Sequence, residues 1–110
     1  MVKRREMNGL ELEYANHLDL LKLLGVVVDW QFEPLRFRLA EGAWYKPDFG
    51  VLYRGEDGGA DWIEMHETKG LWREAARVRI KVAADRHPWF RFKAIQWDQA
   101  GGVWKVEEFR

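Results

Sequence analysis

The chain contains no cysteine, which removes disulfides, thiolate metal ligands and cysteine nucleophiles from consideration together. Any metal must be held by oxygen or imidazole. The 18 Lys and Arg balance the 18 Asp and Glu, so the formal net charge is zero and the overall basic surplus of many nucleic-acid-binding domains is missing. Distribution then matters more than the sum. No apolar run approaches the roughly 18 residues of a membrane span. The basic start, Met1 to Glu6, is followed by no apolar signal region. We therefore expect no membrane partner and a cytoplasmic location. The three prolines, Pro34, Pro47 and Pro88, are few enough that each reads as a local boundary.

What is present suits a globular protein. With 110 residues, 47% hydrophobic and 33% charged, residues 1–110 form one expected domain around a single core, burying roughly two-thirds of the unfolded surface. Seven tryptophans fit either an aromatic-rich core or a surface that meets a partner or ligand.

Lys3, Arg4 and Arg5 make a short basic arm, expected as a solvated tail. Asn8 is an N-cap for a helix over residues 9–24, with Gly25 as its stop. Leu10, Tyr14, Leu18 and Leu21 share its inward stripe. Glu11 leans toward that stripe, and two readings stay open for it. It closes an Asn8-x-x-Glu11 capping box, or it points into a site. Residues 26–32 are β-branched and aromatic up to Glu33-Pro34, and Leu35, Phe37 and Leu39 then alternate with Arg36 and Arg38. A strand over 43–53 carries Pro47, which re-aims Asp48. The strand over 60–69 completes an expected antiparallel meander. A helix over 71–86 places Trp72, Ala75, Ala76, Val82 and Ala83 on its apolar side, with Arg79 projecting from within it. Arg73, Arg77 and Lys81 recur as a basic row. Strands over 89–97 and 103–109 end the chain. The order α-β-β-β-α-β-β predicts an α+β fold with a mixed central sheet.

Chemistry concentrates in residues 45–70. Alternation puts Glu67 and Lys69 on one face with Ile63 and Met65, a face expected to be buried. Buried charge is costly unless paired or bound to metal. Asp48, Glu67 and Lys69, with Glu11 from the first helix and the carbonyl of Thr68, form an oxygen-rich set suited to Mg²⁺ or Mn²⁺. Such an ion activates water and clamps a phosphodiester, and Lys69 could stabilise the charge that develops. The second helix would open beside the site and offer its N–H groups to phosphate. Arg73, Arg77, Arg79 and Lys81 would follow the nucleic-acid backbone, unless their row is only a solvated helix face.

The run from Met7-Asn8, Glu11 and Tyr14 continues through Phe32-Glu33-Pro34, Tyr45-x-Pro47-Asp48-Phe49 and His66-Glu67-x-Lys69-Gly70. With Ala76-Arg77-Val78 and Pro88-Trp89-Phe90 it resembles the PD-(D/E)xK nuclease superfamily. Within that superfamily it resembles small phage-encoded endonucleases of the Holliday-junction-resolvase kind. The resemblance implies a restriction-endonuclease-like α-β-β-β-α-β core and makes Glu11 the helical acid. It makes Asp48 and Glu67 metal ligands and Lys69 the catalytic lysine. It also implies DNA, branched in particular, as substrate, a homodimer to cut a junction symmetrically, and a bacterial host's cytoplasm. Cleavage of linear, flap or single-stranded DNA, and a non-catalytic binding module, are the alternatives. His66, on the opposite strand face from Glu67, is expected to be structural, and Glu64 shares its face.

Overall fold

The computed structural model describes residues 5–71 and 73–110. Lys3 and Arg4 of the expected basic arm, and Trp72, expected on the apolar side of the second helix, lie outside them. Asn8 caps helix α1 (Gly9–Leu23): its side chain accepts from the Glu11 N–H, and Glu11 returns a bond to the Asn8 N–H. Gly25, at φ +81°, ends the helix in the left-handed conformation that favours glycine. Tyr14, Ala15 and Leu18 face inward beside Glu11, as the periodicity predicts.

Strands β1 (Val27–Phe32), β2 (Phe37–Ala40), β3 (Ala43–Tyr45), β4 (Phe49–Tyr53) and β5 (Trp62–Lys69) follow, then α2 (Glu74–Arg86), β6 (Arg91–Asp98) and β7 (Val103–Phe109). The result is an α+β fold whose main sheet runs β1-β4-β5-β6-β7, while β2 and β3 form a separate hairpin. β5 and β6 are parallel and the other pairings antiparallel, so the sheet is mixed. Among the described residues no helix is long and apolar enough to cross a membrane.

The expected three-strand antiparallel meander is present as β1-β4-β5, but a separate hairpin is inserted between its first two strands. Glu33 takes a positive φ of 48°, Pro34 follows, and Pro47 interrupts the next extended run. Each break therefore separates two strands that belong to different sheets. β1 passes over the intervening hairpin and pairs with β4. Gly50 makes room for this path, since a Cβ there would lie 2.7 Å from Cγ of Pro34.

The expected single core is likewise divided, because a sheet covered on both faces has two. On the α1 face Tyr14, Leu18, Val27, Phe32, Phe49, Val51 and Ile95 pack together. On the α2 face Ile80, Ala83 and Ala84 of the helix meet Met65, Phe92, Ala94 and Phe109, with Phe37 and Tyr45 of the hairpin. The buried stripe of α2 differs from the expected one: Ile80 and Ala84 join it, whereas Ala75 is exposed. The helix also opens at Glu74 rather than residue 71, and its first turn is acidic. The expected phosphate cradle directly after Gly70 is therefore displaced along the chain.

Candidate active site at the end of strands β4 and β5

β5 lies between β4 and β6, so both its edges are paired, while Tyr14 of α1 covers one face and the α2 cluster around Met65 covers the other. Glu64, Met65, His66, Glu67 and Thr68 are all buried, whereas Ile63 is 48% exposed. This corrects the expectation of one buried face: Ile63 lies near the open end of the strand, and the charge-bearing end is enclosed on both sides. The two faces carry separate polar networks.

On the α2 face, Glu67 accepts the Tyr45 hydroxyl at 2.9 Å through Oε1 and pairs with Lys69 at 2.7 Å through Oε2. Asp48 follows the Pro47 break and turns toward the same place. Its Oδ2 accepts both the backbone N–H and the hydroxyl of Thr68, each at 2.9 Å. The N–H and C=O of one strand residue leave on the same side, so the Thr68 carbonyl faces the Asp48 side too. Burial, then the Glu67 charge, pushes the Asp48 carboxyl up to about 7 against the opposing Thr68 bonds. Burial and Glu67 also push the Tyr45 phenol up, which keeps it a hydrogen-bond donor, and the nearby charge of Arg79 partly offsets this. Asp48, Glu67, Thr68 and Lys69 are thus brought together as their spacing predicts.

Glu11 reaches the cluster from α1 while keeping its cap, so both open readings describe it at once. Its remaining partner is Arg5, whose guanidinium meets both carboxylate oxygens at 2.9 and 2.8 Å. Burial raises the Glu11 carboxyl, but the bonds from Arg5 and the Asn8 backbone outweigh it and hold the group below its usual value. Arg5 also pairs with Glu33 at 2.9 Å and lies 3.7 Å from Oδ1 of Asp48. Glu33 is itself 3.5 Å from Lys46. One guanidinium thus stands among three acids. Among the described residues no three Asp, Glu or His side chains form a ready-made ion site. The oxygens are held by Arg5, Thr68, Tyr45 and Lys69 instead.

Arg5, Glu33, Lys46 and Tyr45 were missed as site residues by sequence reasoning. Tyr45 is the most accessible omission, since it stands immediately before the Lys46-Pro47-Asp48 run. Arg5 meets Glu33, 28 positions further along the chain, a relation no local periodicity reveals. The basic row of α2 is only partly as expected. Arg73 is the N-cap residue and makes no side-chain capping bond, and Lys81 is exposed. Arg77 is committed to Glu107 of β7 by two bonds of 2.6 and 2.5 Å, because its helical position turns it toward the sheet. Arg79 is exposed on the side of Tyr45.

On the α1 face Nδ1 of His66 meets the Tyr14 hydroxyl at 2.6 Å, and its Nε2 meets Glu64 at 2.9 Å. Glu64 also accepts from Trp62 at 2.7 Å and pairs with Lys93 at 2.9 Å. Burial lowers the His66 pKa despite Glu64. His66 is 1% exposed, so it serves the core, as expected.

The raised carboxyl of Asp48 predicts a pH signature. Its folded pKa exceeds the unfolded value near 3.8, so the folded chain holds the extra proton and this stabilisation is complete below pH about 3.8. It is lost as pH rises through about 7. In denaturant titrations without metal, the stability of wild type relative to Asp48→Asn should fall between pH 4 and 8, by at most about 1.4 kcal/mol per pH unit. A flat difference would show that Asp48 is ionised throughout. No family model matches the chain, and neither the curated proteins nor the solved structures offer a match to it.

Proposed function

We propose that this chain is a metal-dependent DNA endonuclease of the PD-(D/E)xK superfamily with a restriction-endonuclease-like core, acting on branched DNA such as Holliday junctions as a homodimer. The observation that carries this reading is the meeting of Asp48, Glu67 and Lys69 at one end of β4 and β5, with Glu11 bridged to Asp48 by a guanidinium. Buried carboxylates that draw a cation between them suit a hard divalent ion. Asp48, Glu67, Glu11 and the Thr68 carbonyl would hold Mg²⁺ or Mn²⁺.

Such an ion, when bound, lowers the pKa of water and neutralises phosphate charge. The chain's own groups supply the rest. Thr68 fixes the Asp48 rotamer through two bonds, and Tyr45 fixes Glu67. Lys69, on the rim with a side chain 24% exposed, places an ammonium where a phosphate can reach it and meets the charge that grows on its oxygens. A single chain supplies one such site, and two symmetric cuts in a four-way junction need two.

Incubation with a labelled four-way junction and Mg²⁺ or Mn²⁺ should yield paired nicks near the branch. No cleavage with either ion would sink the reading, and equal rates on the component linear duplexes would replace the junction by ordinary DNA. Arg5 supplies a second check on the metal itself. Its guanidinium competes for Glu11 and Asp48, so Arg5→Ala should bind Mn²⁺ about tenfold more tightly in calorimetry, a gain of about 1.4 kcal/mol. Unchanged affinity would place the ion away from these acids.

A further inference from the structure

We propose that the outer face of the β2–β3 hairpin is a DNA-docking surface, on which Arg36, Arg38 and Lys46 take backbone phosphates and Trp44 takes an unpaired base. The inference rests on the nuclease reading of the neighbouring acids and names the element that brings DNA to them. Alternation along the hairpin sorts its side chains into two rows. Phe37 pairs with Tyr45, and both are buried, at 5% and 6% exposure. The neighbouring pair, Arg38 and Trp44, falls on the other face, and so do Arg36 and Lys46 by the same period of two. All four are exposed.

This outer row has the composition of a nucleic-acid surface. Residues 35–46 carry three cations against one acid, Glu41, within a chain of zero net charge. Such a local surplus attracts phosphate where the molecule as a whole does not. The Arg36 guanidinium stacks 4.2 Å from the centroid of the Trp44 ring, and Trp44 remains 47% exposed. A planar ring outside the core with a cation stacked on it offers a platform for a base that has left the duplex.

The row also leads to the acids. Lys46 lies 3.5 Å from Glu33, and Glu33 shares Arg5 with Glu11 and Asp48. From the inner face of the hairpin, Tyr45 donates to Glu67. The docking face and the reacting acids are therefore held by one short element, so a strand seated on the hairpin has little distance to cross. α2 also presents exposed Arg73, Arg79 and Lys81, but Arg77 is committed to Glu107 and the helix carries no aromatic ring on which a base could stack. Phosphate contacts position and are salt-dependent, whereas stacking on Trp44 selects DNA that has an unpaired base.

The test is fluorescence anisotropy of a labelled four-way junction carrying an unpaired thymine at its branch point, and of a matching fully paired linear duplex, in EDTA, where binding is read without cleavage. Arg36→Ala/Arg38→Ala should lower the slope of log affinity against log salt by roughly 1.8, or about 0.9 for each phosphate contact. Trp44→Ala should weaken junction binding about tenfold and duplex binding less, with Trp44→Phe restoring most of the loss. The exposed pair Arg73→Ala/Lys81→Ala on α2 should change the slope less than the hairpin pair. An unchanged slope in the hairpin double variant, or no DNA binding by the wild type, overturns the docking surface. Hairpin-dependent binding with no cleavage in Mg²⁺ would retain the docking surface and remove the nuclease reading. Cleavage with binding indifferent to the hairpin would do the reverse.

Discussion

Under the nuclease reading, Lys69→Ala should lower metal-dependent cleavage about 10²- to 10³-fold, the loss that follows removal of one group aimed at developing transition-state charge. The lysine sits at the end of β5, its ammonium held 2.7 Å from Glu67 while its rim position keeps it within reach of a phosphate. Glu67 is buried but keeps its bond from Tyr45, so the same substitution should cost about 1–3 kcal/mol in stability. The contrast between the two readouts identifies a chemical role. Arg at this position would retain charge but change its geometry, and should restore little activity. Wild-type cleavage rates in Lys69→Ala, measured on the junction, would remove the lysine from the mechanism.

Glu64→Ala should destabilise the fold by about 3–5 kcal/mol, because it strands buried partners of a charge network. Lys93, His66 and Trp62 all converge on this carboxylate, and Glu64 is 2% exposed. Burial raises its pKa, but bonds from His66, Trp62 and Lys93 outweigh that and bring it to about 2. Its stabilising contribution is therefore complete above pH about 4.5 and is lost as pH falls toward 2. Glu64→Gln keeps an acceptor for Trp62 and should lose less in urea unfolding. Equal small losses, under about 1 kcal/mol for both variants, would show that the network contributes little.

The strand period made the division of β5 legible: Glu67 and Lys69 on one side, Glu64 and His66 on the other. It could not show that both sides are covered, since burial of the second face depends on α1 and on the partner strands. Pro47 announced a break and the new direction of Asp48. Whether a break bends one strand or separates two depends on pairing, and β1 with β4 is a nonlocal pair. The hairpin's separation from the main sheet was hidden for that reason. In α2 the scattered alanines give a weak apolar contrast, so Ile80 and Ala84 were not distinguished as its buried stripe. Arg77 looked like one member of a basic row because Glu107 lies 30 residues away. Glu11 posed a choice between cap and site that geometry does not require, for one oxygen serves the helix while both meet Arg5.

The guanidinium of Arg5 lies only six residues from Glu11 in the chain. A tether this short gives it an effective concentration of the order of millimolar at the acids, a standing threshold that any free ion must exceed. DNA phosphate is an alternative partner for the same guanidinium. Under the nuclease reading, substrate that draws Arg5 away would free Glu11 and Asp48 for metal, and metal that displaces Arg5 would release it to the substrate. Linkage makes that coupling reciprocal, so the chain would load its ion most readily when DNA is already in place.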